Sequence, residues 1–430
     1  MQTLRGEHDL VVSKHSERIH YGLKVLPSLQ YPIPSGLGNK RWTAELLLAT
    51  YEQASTGNPP TDLEYKVGIS GGGFDRLDFK FQENDFDLGA KEDCDLSIDL
   101  NHRPSGPKIR IQIPVYGGGM SFGSVSLNFM LARAIAAKRL GTFTCTGEGG
   151  YPPELMTYKD YIITQVATGM FGVREDTIQA ARIVEFKYAQ GAKPGLGGHL
   201  LADKVTSEVA NMRESTPFTA LYSPFPFHSV YSVEDHKKHV DWIRATNPSC
   251  LVSVKVSTPV DVDMVAIGSY YANANIIHID GGYGGTGAAP EIAKKNIAMP
   301  IEYAIPKVHR YLVSEGVRDE VTLIASGGIR TAYDVAKAIA LGADGCVIGT
   351  AEAVAVGCTH CGNCERGRGC QVGITTTDPE LSLLIDPEWG ARRIVNMYNS
   401  WSKQWKFILR NLGLRSIRGL RGRTDLLTYG

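Results

Sequence analysis

The chain has 430 residues, 45 Lys and Arg against 45 Asp and Glu, and 43% hydrophobic residues. A formal net charge of zero gives nothing to draw it to nucleic acid or a membrane surface, and no apolar run reaches bilayer-spanning length. The first residues carry no apolar signal core, so clustered cysteines without a leader place the protein in the cytoplasm.

Residues 1–100 read as a polar, irregular leading segment in which RWTAELLLATYEQA is the one strong helix pattern. From there a rhythm sets in of short apolar run, glycine-containing loop and amphipathic stretch. Strand candidates are IRIQIPV, TFTCTG, ALYSP, CLVSVKV, IIHID, VTLIAS and GCVIGT, and helix patterns include REDTIQAARIVEFKYAQ and TAYDVAKAIALGA. Buried strands alternating with helices indicate parallel β/α units. A strand count near eight across residues 101–390 predicts a closed (β/α)8 barrel of the α/β class. Residues 391–430 read as a helix, RRIVNMYNSWSKQWKFILRNLG, and a basic tail, LRSIRGLRGRTDLL. The helix is expected to pack on the outside of the barrel, with the tail arginines as the alternative, a dock for another subunit.

Polar and glycine residues fall just after the strands, where a barrel's reactive face lies. SGGIR followed by GCVIGT places Gly327, Gly328, Arg330, Gly349 and Thr350 in the loops after the last two strands, a grip for a nucleotide-type phosphate. IIHIDGGYGGTGAAP puts Gly284, Gly285 and Gly287 on a neighbouring rim loop. Lys255 interrupts the apolar run VSVKV, and a buried lysine needs an anionic partner. TGEGG and AQGAKPGLGGHL bring Glu148, Lys193 and His199 to glycine-flanked positions. A lysine near Arg213 would suit a dicarboxylate, and Glu148 proton transfer.

Four of the eight cysteines lie within thirteen residues, Cys358, Cys361, Cys364 and Cys370, spaced C-x2-C-x2-C-x5-C. A structural zinc site more often uses two separated ligand pairs, whereas a cysteine at every third position of one loop is ferredoxin-like. Iron–sulfur is the preferred reading, and His360 leaves zinc open.

These motifs, in order, resemble the FMN- and iron–sulfur-containing synthase domain of glutamate synthases. TGEGG, QVATGMFGV, AQGAKPGLGG, SPFPFHSVYSVED, VSVKV, DGGYGGTGAAP and the cysteine loop closing on CQVGI carry the resemblance, from GGGMSFGSVS to VGITTTDPEL. It implies FMN held by Met120, Ser121, Gln165, Lys255 and the glycine loops at 284–287, 327–328 and 349–350. It implies Lys193 and Arg213 on the 2-oxoglutarate carboxylates, His199 in the same pocket, and Glu148 where ammonia arrives. The family aligns three cysteines for a [3Fe–4S] cluster. Cys358, Cys364 and Cys370 follow that pattern with one extra residue, and the added Cys361 favours [4Fe–4S], with [3Fe–4S] the alternative.

Some positions depart from the family pattern: Thr164, Met170, Leu196, His199 and Phe227 beside His228. Several of them are expected to line the substrate pocket and to suit a less polar nitrogen donor than ammonia. With the family's glutaminase and β-helical domains expected on separate partner chains of a hetero-oligomer, the resemblance narrows to the third subunit of N-methylglutamate synthases. That enzyme uses methylamine and glutamate. The alternative is a split glutamate synthase using ammonia, 2-oxoglutarate and a reductant.

Overall fold

The computed structural model describes residues 38–60, 67–81 and 93–430. Much of the leading segment expected at 1–100 therefore lies outside the described residues. Among the described residues no helix is long and apolar enough to cross a membrane.

Eight parallel strands close into a barrel in simple sequence order. They are β1 (Val115–Gly117), β2 (Thr144–Glu148), β3 (Ile162–Ala167), β4 (Ile183–Lys187), β5 (Leu251–Ser257), β6 (Ile276–Asp280), β7 (Thr322–Ser326) and β8 (Gly345–Ile348). Five-residue registers include Ser253–Ser257 against Ile276–Asp280 and Ile163–Ala167 against Ile183–Lys187. Pairing of Cys346–Ile348 with Val115–Gly117 closes the ring. Every residue of β1, β2, β3, β6, β7 and β8 is buried, the state of a strand covered on both faces. The expected (β/α)8 barrel is the fold.

Two of its strands were not legible as such. The stretch predicted as one helix, REDTIQAARIVEFKYAQ, is a short helix, Glu175–Ala180, followed by β4. The side-chain amide of Asn247 donates to the carbonyls of Ile178, Gln179 and Ala181 at 2.8, 3.2 and 2.8 Å, which stops the helix there. Ile183, Val184 and Phe186 then enter the core fully buried. The segment giving β3 was also overlooked. Conversely, ALYSP lies outside the barrel: Leu221–Tyr222 pairs antiparallel with His199–Leu200 over the rim. IRIQIPV divides, with Arg110–Ile111 pairing against Ile98–Asp99 and Val115 alone entering β1.

Outside the ring lie α1 (Ala44–Thr56), α2 (Leu127–Leu140) and α3 (Pro387–Asn411), and α3 packs against both of the others. Side chains at the N-caps Thr43, Ser126 and Asp386 accept from backbone N–H groups three residues on, the local reason each helix starts where it does. Arg393 of α3 lies 3.8 Å from the Tyr51 ring centroid and donates to the Tyr51 and Ala355 carbonyls. Trp401 and Trp405 are fully buried, and the Trp405 indole donates to the Ala332 carbonyl at 2.8 Å. The C-terminal helix thus packs on the barrel as expected. Tail arginines pair within the chain, Arg418 with Asp95 at 2.5 Å and Arg421 with Asp344 at 3.1 Å.

Candidate functional site

A cavity of about 390 Å³ opens at the C-terminal ends of the strands. Its wall includes Met120 and Ser121 after β1, Glu148 of β2, Gln165 of β3, Lys193 and His199 after β4, and Lys255 of β5. Gly284, Gly285 and Gly287, then Gly327, Gly328, Gly349 and Thr350, and finally Cys358, Cys361, Cys364 and Cys370 complete it. All of these positions were expected at the site, and they come from the ends of all eight strands. The glycines are required by space: a Cβ on Gly285 would fall 1.8 Å from the Thr350 hydroxyl, and one on Gly327, whose φ is +94°, 2.3 Å from the Gly281 carbonyl oxygen.

Two expected residues stand off the wall. Arg330 is fully buried, and its guanidinium donates to the carbonyls of Arg41, Val67 and Gly68, away from the phosphate-type loop it was expected to serve. Arg41 sits at that loop instead, donating to the Tyr283 carbonyl at 2.8 Å and the Gly328 carbonyl at 3.3 Å while covering the Tyr283 ring. Arg213 ends its helix behind Gly149; its Nη2 donates to the Phe122 carbonyl at 3.0 Å, and its buried Nε has no hydrogen-bond partner among the described residues.

Electrostatics concentrate at one side of the cavity. Glu148 pairs with Lys187 at 3.3 Å, a lysine of β4 that pattern reading missed because it closed a supposed helix. Burial opposes ionisation of Glu148, yet Lys187, Lys193 and Arg213 outweigh it and hold the carboxyl below its usual range. Burial, with Lys187 beside it, pulls the Lys193 ammonium down to about 8 against the opposing pull of Glu148. Burial likewise works against the Lys255 charge, but Asp280 at 3.3 Å and Glu185 overcome it and raise its pKa. Asp280, Glu185, Ser326 and Lys204 are further polar groups here with no sequence-local signal, since each partner comes from a different strand or loop.

The cysteine thiols face the same cavity, and burial pushes Cys358 up to about 12. Four sulfur donors on one loop fit iron–sulfur ligation in kind. Among the described residues, however, no group of three or more His, Cys, Asp or Glu side chains is gathered closely enough to hold a metal ion. Buried Lys204 braces the loop, its ammonium donating to the carbonyls of Cys364 at 2.6 Å and Thr375 at 3.0 Å. Of the departures from the family pattern, only His199 lines the cavity. Phe227 is buried against Phe186 and Tyr188, Thr164 lies in β3, and Met170, Leu196 and His228 are exposed. The expectation that these changes line the substrate pocket is thereby corrected.

A barrel whose strand ends present buried lysines and bare glycine backbone around a deep cavity is an enzyme for anionic ligands. The model of a conserved region in glutamate synthase matches residues 74–415. An archaeal-type glutamate synthase [NADPH] of Thermotoga maritima is 43% identical over 79% of this chain and 67% of its own length. An archaeal glutamate synthase [NADPH] of Methanocaldococcus jannaschii is 43% identical over 82% of this chain and 68% of its own. The glutamate synthase [NADPH] large chain of Azospirillum brasilense is 37% identical over 72% and 21%. A solved flavocytochrome b2 variant with sulfite bound superposes with a TM-score of 0.54 over 96% of this chain and 91% of its own, at 15% identity, a likeness of fold. The chain belongs to the glutamate synthase family and is a flavoenzyme of that type.

Proposed function

We propose that this chain is the FMN- and iron–sulfur-containing catalytic subunit of a glutamate synthase, making L-glutamate from 2-oxoglutarate, ammonia and reducing equivalents. The observation that carries the reading is the gathering of Lys187 and Lys193 around Glu148 on the cavity wall, backed by Arg213. That excess of buried positive charge suits a dicarboxylate. Relatives named as glutamate synthases support ammonia as the nitrogen donor over the methylamine reading, whose pocket argument now rests on His199 alone.

FMN fits the cavity: glycine backbone at 284–287, 327–328 and 349–350 leaves room for a phosphate and ribityl chain, and Lys255 and Gln165 stand on the floor. Bound there, FMN supplies the hydride that the protein's side chains cannot. Lys193 and Lys187 would orient the keto acid through its carboxylates, with Arg213 reinforcing the field. Glu148, kept ionised by those cations, would accept a hydrogen bond from the incoming ammonia and so aim its lone pair at the keto carbon. The cysteine loop at Cys358, Cys361, Cys364 and Cys370 would hold the iron–sulfur cluster. Glutaminase-like and β-helical partner subunits complete the proposed enzyme.

The test is a competition assay on purified protein supplied with 2-oxoglutarate, a reductant, 15N-ammonium and 13C-methylamine. Labelled glutamate is expected by mass spectrometry. N-Methylglutamate as the main product would move the chain to N-methylglutamate synthase.

A further inference from the structure

Beneath the cavity floor, residues of five adjacent strands form one continuous hydrogen-bonded chain. The Gln165 amide (β3) donates to Glu185 Oε1 (β4) at 2.8 Å, and the Ser253 hydroxyl (β5) donates to Glu185 Oε2 at 2.9 Å. Nδ1 of His278 (β6) lies 3.0 Å from that second oxygen, and its Nε2 lies 2.7 Å from the Ser326 hydroxyl (β7). Ser326 is in turn 2.6 Å from Asp280 Oδ1, and Asp280 Oδ2 is 3.3 Å from the Lys255 ammonium. Glu185 and His278 are 1% exposed, too deep to touch a bound ligand, while Gln165, Lys255, Asp280 and Ser326 face the cavity.

Counting protons along this chain leaves one solution. Glu185 accepts from the Gln165 amide and the Ser253 hydroxyl on its two oxygens. Asp280 accepts from the Ser326 hydroxyl on one oxygen, and its other oxygen meets the Gly191 N–H at 3.0 Å and the Lys255 ammonium at 3.3 Å. Both carboxylates are therefore acceptors only. Ser326 has one proton, and the close contact with Asp280 takes it. Its oxygen can then meet His278 Nε2 only if that nitrogen carries a hydrogen. Glu185 demands a hydrogen on Nδ1 in the same way.

We propose that His278 is stored as an imidazolium under the cavity floor, a second buried cation beside Lys255 that makes the flavin easier to reduce. It is a positioning residue, acting through Ser326 and Asp280 on one side and through Glu185 and Gln165 on the other. The inference rests on the reading that the cavity holds FMN. Charge balance agrees with it: Glu185 and Asp280 are matched by His278 and Lys255, whereas a neutral imidazole would leave excess negative charge in a fully buried place. The other titratable groups near Glu185 on neighbouring strands do not alter the sum. Burial pushes the Tyr116 phenol (β1) and the Cys145 and Cys346 thiols (β2 and β8) up, so all three are uncharged at neutral pH.

Imidazole NMR on the full chain labelled with 15N-histidine tests the first half directly at neutral pH. His278 is assigned as the signal missing from His278→Gln or, should that variant not fold, as the one displaced in Glu185→Gln. Both ring nitrogens are expected to show the shifts of N–H; one bare nitrogen would overturn the proposal. Spectroelectrochemistry of the FMN-loaded protein tests the second half. His278→Gln is expected to keep its flavin and to shift the midpoint to more negative potential, and an unchanged midpoint would remove the tuning role. A chain that takes up no FMN ends the flavin reading, while the NMR result still decides the charge on His278.

Discussion

Glu148 is fixed from two sides, by the Lys187 ammonium and by the bare backbone of Gly198, where a Cβ would fall 1.8 Å from Oε1. Gly198→Ala must swing that carboxylate away from Lys187 without touching the barrel. The expected result is a KM for ammonium raised about tenfold, the kinetic equivalent of one weakened charged hydrogen bond, with thermal stability unchanged. Steady-state kinetics beside a melting curve checks it. Lys193 gives a pH dependence of definite sign. Its ammonium, depressed to about 8, is charged below that pH and neutral above it. Affinity for 2-oxoglutarate should thus be full at lower pH and fall as pH rises through about 8, while Lys193→Met binds weakly at every pH. Calorimetric titration across that range measures both.

At the scale of elements, what could be read from the sequence was whatever is local in the chain. The glycine loops after apolar strands and the helix Ala332–Leu341 are patterns local in the chain, and the structure places them as expected; the cysteine spacing is equally local, and its thiols line the same cavity without gathering into a metal-holding group among the described residues. The region 174–190 misled because its apolar residues satisfy helical spacing up to Ala180, and only Asn247, distant in sequence, ends the helix there. The floor network was invisible for the same reason: Glu185 and His278 are 93 positions apart. Arg330 shows the converse error, a correct loop whose side chain is claimed by carbonyls of a segment some 260 to 290 residues earlier. Lys204 shows what such long-range contacts do for a loop, since its ammonium joins the cysteine loop to Thr375 and the segment beyond. Lys204→Met would strand buried carbonyls at about 1–3 kcal/mol. The cysteine loop is expected to lose hydrogen-exchange protection ahead of the barrel strands, read by mass spectrometry of the peptides spanning it.

In the whole molecule, segments outside the ring brace it in two ways. The strand Leu77–Phe79 pairs with Leu427–Tyr429, so the described N-terminal part and the C-terminal tail close on each other. α3 covers α1 and α2, with Trp405 fully buried and bonded to the residue that opens the helix after β7. On the cavity side, the residues just before α1 touch three site loops at once. Gly38 N–H donates to the Thr359 carbonyl at 3.2 Å, Asn39 meets His360 at 2.9 Å, and Arg41 holds the carbonyls of Tyr283 and Gly328. These two clamps should separate in mutants. Trp405→Ala removes a large buried side chain that does not line the cavity and is expected to cost about 3–5 kcal/mol. Its urea midpoint should fall while the folded fraction binds FMN with wild-type affinity. Arg41→Ala removes a rim contact whose guanidinium holds backbone rather than core. Its melting temperature should stay within a few degrees of wild type, and its FMN dissociation constant should rise about tenfold, the loss of one charge-assisted contact. Fluorescence titration of released flavin beside the denaturation curves reads both at once. A parallel loss of stability and affinity in each variant would mean that the two clamps act as one cooperative unit.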